Sequence, residues 1–167
     1  MATATQISVT EYLNTTYRPD RDYVNGEVLE RNLGEYEHSR PQMRIGAYFY
    51  NREKEWRIRV VPEQRVQVKL NRFRIPDVCV VLEDSPVESI FRHPPFICIE
   101  ILSKDDSFKS VIDRLEDYVA MGVENVWLID PSARRGYVYR DGFSLAKDGV
   151  LRTADSGIEL PLASIFD

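Results

Sequence analysis

Two carboxylates stand in this chain where a carboxylate is expensive. Asp77 opens the apolar run Pro76–Leu82 (PDVCVVL), and Glu100 interrupts a second one, Phe96–Leu102 (FICIEIL). An ionised carboxylate taken out of water without a partner costs several kcal/mol, so each needs a cation, a metal or a position at a rim. Side chains alternate across a strand. Ile97, Ile99 and Ile101 therefore share one face of the second run, while Cys98, Glu100 and Leu102 share the other. If the two runs are neighbours, the acids converge. Converging oxygen ligands suit a hard cation such as Mg²⁺, which acidifies a bound water and neutralises charge on a phosphoryl oxygen. That is the minimum equipment for phosphodiester hydrolysis. The residues alone leave plainer readings open. Glu100 could be a structural ion pair with Arg114, Asp77 could pair with Arg72 or Arg74, and His38 could be an ordinary neighbour of a helix start.

The elements that must position these acids are legible in outline. Strand, helix, strand is the pattern around Glu100: FICIEIL, then an amphipathic stretch from about Asp105 to Met121 closed by Gly122, then Asn125–Asp130 (NVWLID). This is the sign of a parallel crossover. Upstream, Asn25-Gly26 between β-prone residues predicts a hairpin over Asp22–Glu30. Ser8-Val9-Thr10-Glu11 predicts a short capped helix from Val9 to Asn14. A longer helix is predicted from Ser39, with Pro41 in its first turn and Met43, Ile45, Ala47, Phe49 and Tyr50 on its apolar face. Arg57–Val61 and Arg65–Leu70 read as strands, the latter with Val66, Val68 and Leu70 inward. Asn71–Arg74 reads as a turn, and Glu83–Pro95 as a loop with one helical turn at Val87–Phe91. Gly136–Arg140 and Val150–Thr153 read as a hairpin pair around Asp141-Gly142, and the apolar tail IELPLASIF is expected to pack back. The fold class is α/β (α+β), with a central mixed β-sheet flanked by helices.

The chain has 167 residues, which predicts one domain over 1–167 with a loose tail at 1–6. Apolar residues make up 43%, ample for a core, and the net charge of -5 makes any nucleic-acid contact a matter of local patches. The candidate patches are Arg52, Lys54, Arg57 and Arg59, then Arg65, Lys69, Arg72 and Arg74; outward charges of this kind are usually a solvated face. Cys79 and Cys98 both lie inside apolar runs and read as small core residues. Two separated cysteines, no secretory signal and no membrane-length apolar run fit a cytoplasmic protein. No zinc-spaced His/Cys cluster, glycine-rich phosphate loop or serine-histidine-acid motif is present.

The ordered set of motifs resembles a known family. Pro76-Asp77, followed after 23 positions by Glu100-Ile101-Leu102, is similar to the PD-(D/E)XK nuclease superfamily. Within it, the match is to a bacterial restriction-endonuclease family formerly classed as a domain of unknown function. Asp22-Tyr23-Val24-Asn25-Gly26, Glu37-His38-Ser39, Arg74-Ile75-Pro76-Asp77-Val78, Glu100-Ile101-Leu102-Ser103, Tyr118, Gly122-Val123 and Trp127–Pro131 all resemble its segments in order. The resemblance implies a restriction-endonuclease-like core that cleaves DNA with Mg²⁺ (or Mn²⁺), held by Asp77 and Glu100 with Asp22 as a third acid. The lysine expected two residues after the second acid is Leu102 here, and the family's helix-borne lysine is Arg114. Arginine stays protonated, so Arg114 can hold a phosphate but cannot act as a base. Lys104, Lys109, Arg74 and His38 are the further candidate DNA contacts, and a homodimer would give a duplex cutter its two sites. The alternatives are the same fold kept as a non-cleaving binding or assembly module, and a metal-dependent hydrolase of another phosphate ester.

Overall fold

The computed structural model describes residues 6–31, 34–155 and 157–166. The expected loose tail falls, all but Gln6, outside the described residues. The short helix α1 (Val9–Leu13) is capped by the Ser8 hydroxyl, which accepts from the Glu11 N–H at 3.1 Å. The hairpin β1 (Asp22–Val24) and β2 (Glu27–Leu29) turns on Asn25 and Gly26, whose φ angles of 51° and 97° are both left-handed, as a tight hairpin requires.

Helix α2 (Tyr36–Tyr50) begins three residues before the expected Ser39 cap, and no side chain caps it. Its inward face is Pro41, Ile45 and Phe49, repeating every fourth residue. Met43 and Tyr50, expected on that face, are exposed. The early start places His38 in the first helical turn. After a single-turn helix α3 (Glu53–Trp56) come β3 (Ile58–Pro62), β4 (Val66–Lys69) and β5 (Arg72–Arg74). The expected turn at Asn71–Arg74 is thus largely a strand. β4 ends at Lys69, with a register irregularity between Gln67 and Lys69, and Leu70 falls in the turn to β5, 88% exposed rather than inward.

The site is carried by β6 (Val78–Leu82), β7 (Ile97–Ile101), α4 (Phe108–Met121) and β8 (Asn125–Asp130). The loop before β7 contains no helical turn at Val87–Phe91; Phe91 instead bridges to Val66. β9 (Arg135–Tyr139) pairs with β10 (Phe143–Leu145) across Asp141-Gly142. β11 (Val150–Arg152), expected to partner that hairpin, pairs instead with β12 (Glu159–Pro161) in a separate ribbon.

Three sheets result. The central one has the order β10-β9-β8-β7-β6-β3, and only β7 and β8 run parallel, joined by α4. A four-stranded sheet β2-β1-β5-β4 stands beside it, with Tyr12, Tyr23 and Phe73 as its core. Alternation along the central strands divides the main core in two. Val78, Val80, Ile97, Ile99, Ile101, Trp127 and Ile129 pack against Ile45 and Phe49 of α2 and against the C-terminal segment. Cys79, Val81, Cys98, Val126 and Leu128 pack against Val111, Leu115 and Tyr118 of α4. The apolar tail packs back as expected, with Leu160 fully buried. Leu160→Ala is therefore expected to destabilise the protein by about 2–5 kcal/mol, the cost of a buried leucine cavity. A shifted urea unfolding midpoint would show it, and a loss below about 1 kcal/mol would mean the tail does not belong to the core.

Candidate active site

Antiparallel pairing sets Val78 opposite Ile99 and Cys79 opposite Cys98, so one step further Asp77 faces Glu100 across two neighbouring strands. Glu100 projects to the α4 side, in step with Cys98, while Asp77 stands at the strand end just before β6. Asp77 is 3% and Glu100 4% exposed. The Ile101 N–H donates to Asp77 Oδ2 at 2.7 Å, which fixes the side chain at the strand end. Arg31 Nη2 donates to Asp77 Oδ1 at 3.2 Å, and His38 Nε2 lies 3.2 Å from Oδ2. On the other acid, the Tyr118 hydroxyl donates to Glu100 Oε1 at 2.6 Å, and Arg114 Nε stands 3.3 Å from Oε2. Tyr118 and Arg114 are one helical turn apart on α4 and so reach the same carboxylate. Arg114 Nη2 also donates to Asp106 Oδ1 at 3.1 Å. The two acids face a cleft of about 410 Å³, which Asp22, Arg31, His38 and Arg114 also line.

The structure therefore brings Asp22, His38, Asp77, Glu100 and Arg114 together. Asp22 reaches the cleft from β1, but its Oδ2 accepts from Arg74 Nη1 at 3.1 Å. Arg74, expected on the DNA side, is a buried strut: its Nε donates to Asp117 Oδ2 at 2.7 Å and it is 5% exposed. It lines the cleft while being held between two acids. Arg72 likewise turns to Asp117, at 2.8 Å, so neither Arg72 nor Arg74 pairs with Asp77. Lys104 is exposed and bonded to Glu35 at 2.6 Å, and Lys109 is exposed on α4 without lining the cleft. Arg31, Tyr118 as a hydroxyl donor and Asp106 are site residues that sequence reasoning did not assign. Arg31 lies in an irregular segment whose periodicity carries no signal.

Burial dominates the electrostatics. It pushes the Glu100 carboxyl up to about 7; Arg114 pulls it back, and the Asp77 charge raises it again. Asp22 is raised by the same desolvation, against the pull of Arg74 and Arg31. Burial alone would lower His38, but the hydrogen bond and charge of Asp77 more than offset this, and the imidazolium is favoured. All three groups hold protons more firmly folded than unfolded, so stability falls as pH rises. For Glu100 the penalty is absent below its ordinary value of 4.5, grows above it, and is complete beyond about 7. Melting temperature measured between pH 5 and 8 without divalent ions is expected to fall, and Glu100→Gln to flatten that slope.

Among the described residues, no three His, Cys, Asp or Glu side chains form a ready-made metal cluster. The donor chemistry nevertheless fits a hard divalent ion. The carboxylates of Asp77 and Glu100 face each other across neighbouring strands, and burial together with the Asp77 charge makes an ionised Glu100 costly, a cost that a divalent cation would offset. Arg114 offsets part of that cost through its ion pair with Glu100, although its buried Nε makes no hydrogen bond.

The crystal structure of a "putative nuclease belonging to DUF820" from Anabaena variabilis superposes with a TM-score of 0.82 at 22% identity, covering 96% of this chain and 97% of that one. At that identity the likeness establishes the shared fold. No curated protein sequence matches. The profile of one family matches residues 10–159, a span that holds both strand acids, Asp22, His38 and Arg114. The chain belongs to the Uma2 family, described as "Putative restriction endonuclease".

Proposed function

We propose that this protein is a divalent-metal-dependent endonuclease that hydrolyses phosphodiester bonds in DNA. The observation that carries the reading is the pair of buried acids set opposite each other on neighbouring strands and open to one cleft. Asp77 and Glu100 would hold Mg²⁺ or Mn²⁺, with Asp22 as the third acid behind them. Bound there, the ion would acidify an attacking water and neutralise the phosphoryl oxygens.

The chain's own residues supply orientation and charge. The Ile101 N–H and the Tyr118 hydroxyl fix the two carboxylates. Arg114 bridges Glu100 and Asp106 while lining the cleft, so a phosphate entering there meets a permanent cation. His38 adds charge while protonated. Lys109, exposed, and Lys104, exposed and released from Glu35, would meet the flanking backbone of DNA. A second copy of the chain would provide the second site that a double-strand cut needs.

One observation favours the non-cleaving binding module instead. Leu102 packs against the α4-side core where the superfamily's lysine would stand, and both acids already have arginine partners. Nicking of supercoiled plasmid in Mg²⁺ or Mn²⁺, compared with Glu100→Ala, separates the two. Metal-dependent nicking lost in the variant supports the nuclease. Tight DNA binding with no nicking by either protein supports the module.

A further inference from the structure

Arg31 has two acids within reach, one inside the cleft and one at its edge. The inner is Asp77, 3.2 Å from Nη2; the outer is Glu63, 3.9 Å from Nη1. The inner carboxylate is 4% exposed and the outer 56%, with the arginine between them at 17%. Glu63 is tied to the same place by other bonds. Its N–H donates to the Asp77 carbonyl at 3.2 Å, and Gln42 Nε2 spans that carbonyl, at 3.0 Å, and Glu63 Oε1, at 3.5 Å. Its backbone sits at φ 49°, a left-handed conformation that glycine adopts more cheaply. A side chain is thus kept where a side chain is unfavourable, and its carboxylate points to the arginine. Besides its own burial, the charges acting on Arg31 are Asp77, Glu100, Asp22 and Glu63, all acids of this cleft.

From this arrangement we propose that Arg31 is the resident counter-ion of the acid pair and competes with the divalent ion for Asp77, with Glu63 as the station to which its guanidinium moves when the ion binds. The inference rests on the metal-site reading above and adds a residue pair that tunes it. A guanidinium and a divalent cation cannot both neutralise one carboxylate without mutual repulsion. A nearby exposed acid lowers the cost of moving the guanidinium out. The trade needs only side-chain rotation, because one fork nitrogen is 3.2 Å from Asp77 and the other 3.9 Å from Glu63.

Calorimetric titration of Mn²⁺ into the protein without DNA, at pH 7.5, tests it. Arg31→Met is expected to tighten Mn²⁺ binding about tenfold, because Asp77 is freed. Glu63→Gly, which relieves the backbone and so keeps the fold, is expected to weaken binding several-fold. The decisive measurement is the double variant: with Arg31 already gone, Glu63→Gly should change Mn²⁺ affinity much less than it does alone. An equal loss in both backgrounds would mean Glu63 acts only as distant charge and would overturn the proposal, as would unchanged affinity in Arg31→Met. Binding seen in Arg31→Met but not in the original protein supports it. No binding in any of the four proteins would remove the metal-site reading itself, and this inference with it.

Discussion

On the proposed nuclease reading, Asp77→Asn is expected to reduce metal-dependent DNA cleavage by about 10³-fold or more while leaving the protein folded. The variant keeps the size of the side chain and an oxygen to accept from the Ile101 N–H, so the strand end need not move. What it removes is the negative charge at the point where two acids meet. A bound ion contributes several kcal/mol of charge stabilisation in the transition state, and each 1.36 kcal/mol is a factor of ten in rate. Losing about 4 kcal/mol therefore accounts for a drop of about 10³. Single-turnover nicking in Mn²⁺, with circular dichroism as the folding control, measures it. Cleavage within tenfold of the original protein would remove Asp77 from the ligand set.

The largest stability effect is expected from a residue that does no chemistry. Arg74→Met should destabilise the protein by about 3–5 kcal/mol, the usual cost of breaking a buried ion pair by removing one partner. Arg74 lies between Asp22 and Asp117, which are 5% and 3% exposed. Asp117 would retain Arg72 at 2.8 Å, but Asp22 would lose its close partner and remain buried. Urea unfolding gives the magnitude. Adding Asp22→Asn to Arg74→Met should recover part of the loss, because the stranded charge goes with it. A single-variant loss below about 1 kcal/mol would show the network to be solvated.

The two expectations follow from different degrees of legibility in the sequence. The acids could be found because an apolar strand advertises a charge that violates it, and their convergence needed only that β6 and β7 be neighbours. Arg114 could be placed because a helix face is periodic: it lies one turn before Tyr118 and reaches Glu100. Arg31 could not, since it sits outside any repeating pattern and meets Asp77 across 46 residues of sequence. The two ion pairs of Arg74 are hidden in the sequence for a similar reason. Alternating charges next to a strand look like a solvated face, and only the pairing of β5 with β1 and the approach of α4 show the two acids, Asp22 and Asp117, that hold Arg74. The start of α2 is hidden because its cap offers no side-chain bond, and the exposure of Leu70 because the alternation of Val66 and Val68 gives no sign that the strand stops at Lys69.

The odd-even split of β7 has a consequence for how this protein can change over time. Ile97, Ile99 and Ile101 lock one set of positions under α2, and that lock alone decides that Glu100 emerges on the opposite side. A slip of one residue in pairing would turn the glutamate into the aliphatic layer and the isoleucines toward the cleft. Misregistered chains would thus lose cohesion and chemistry in the same event. Selection for a soluble, well-packed strand therefore also preserves the placement of the acid.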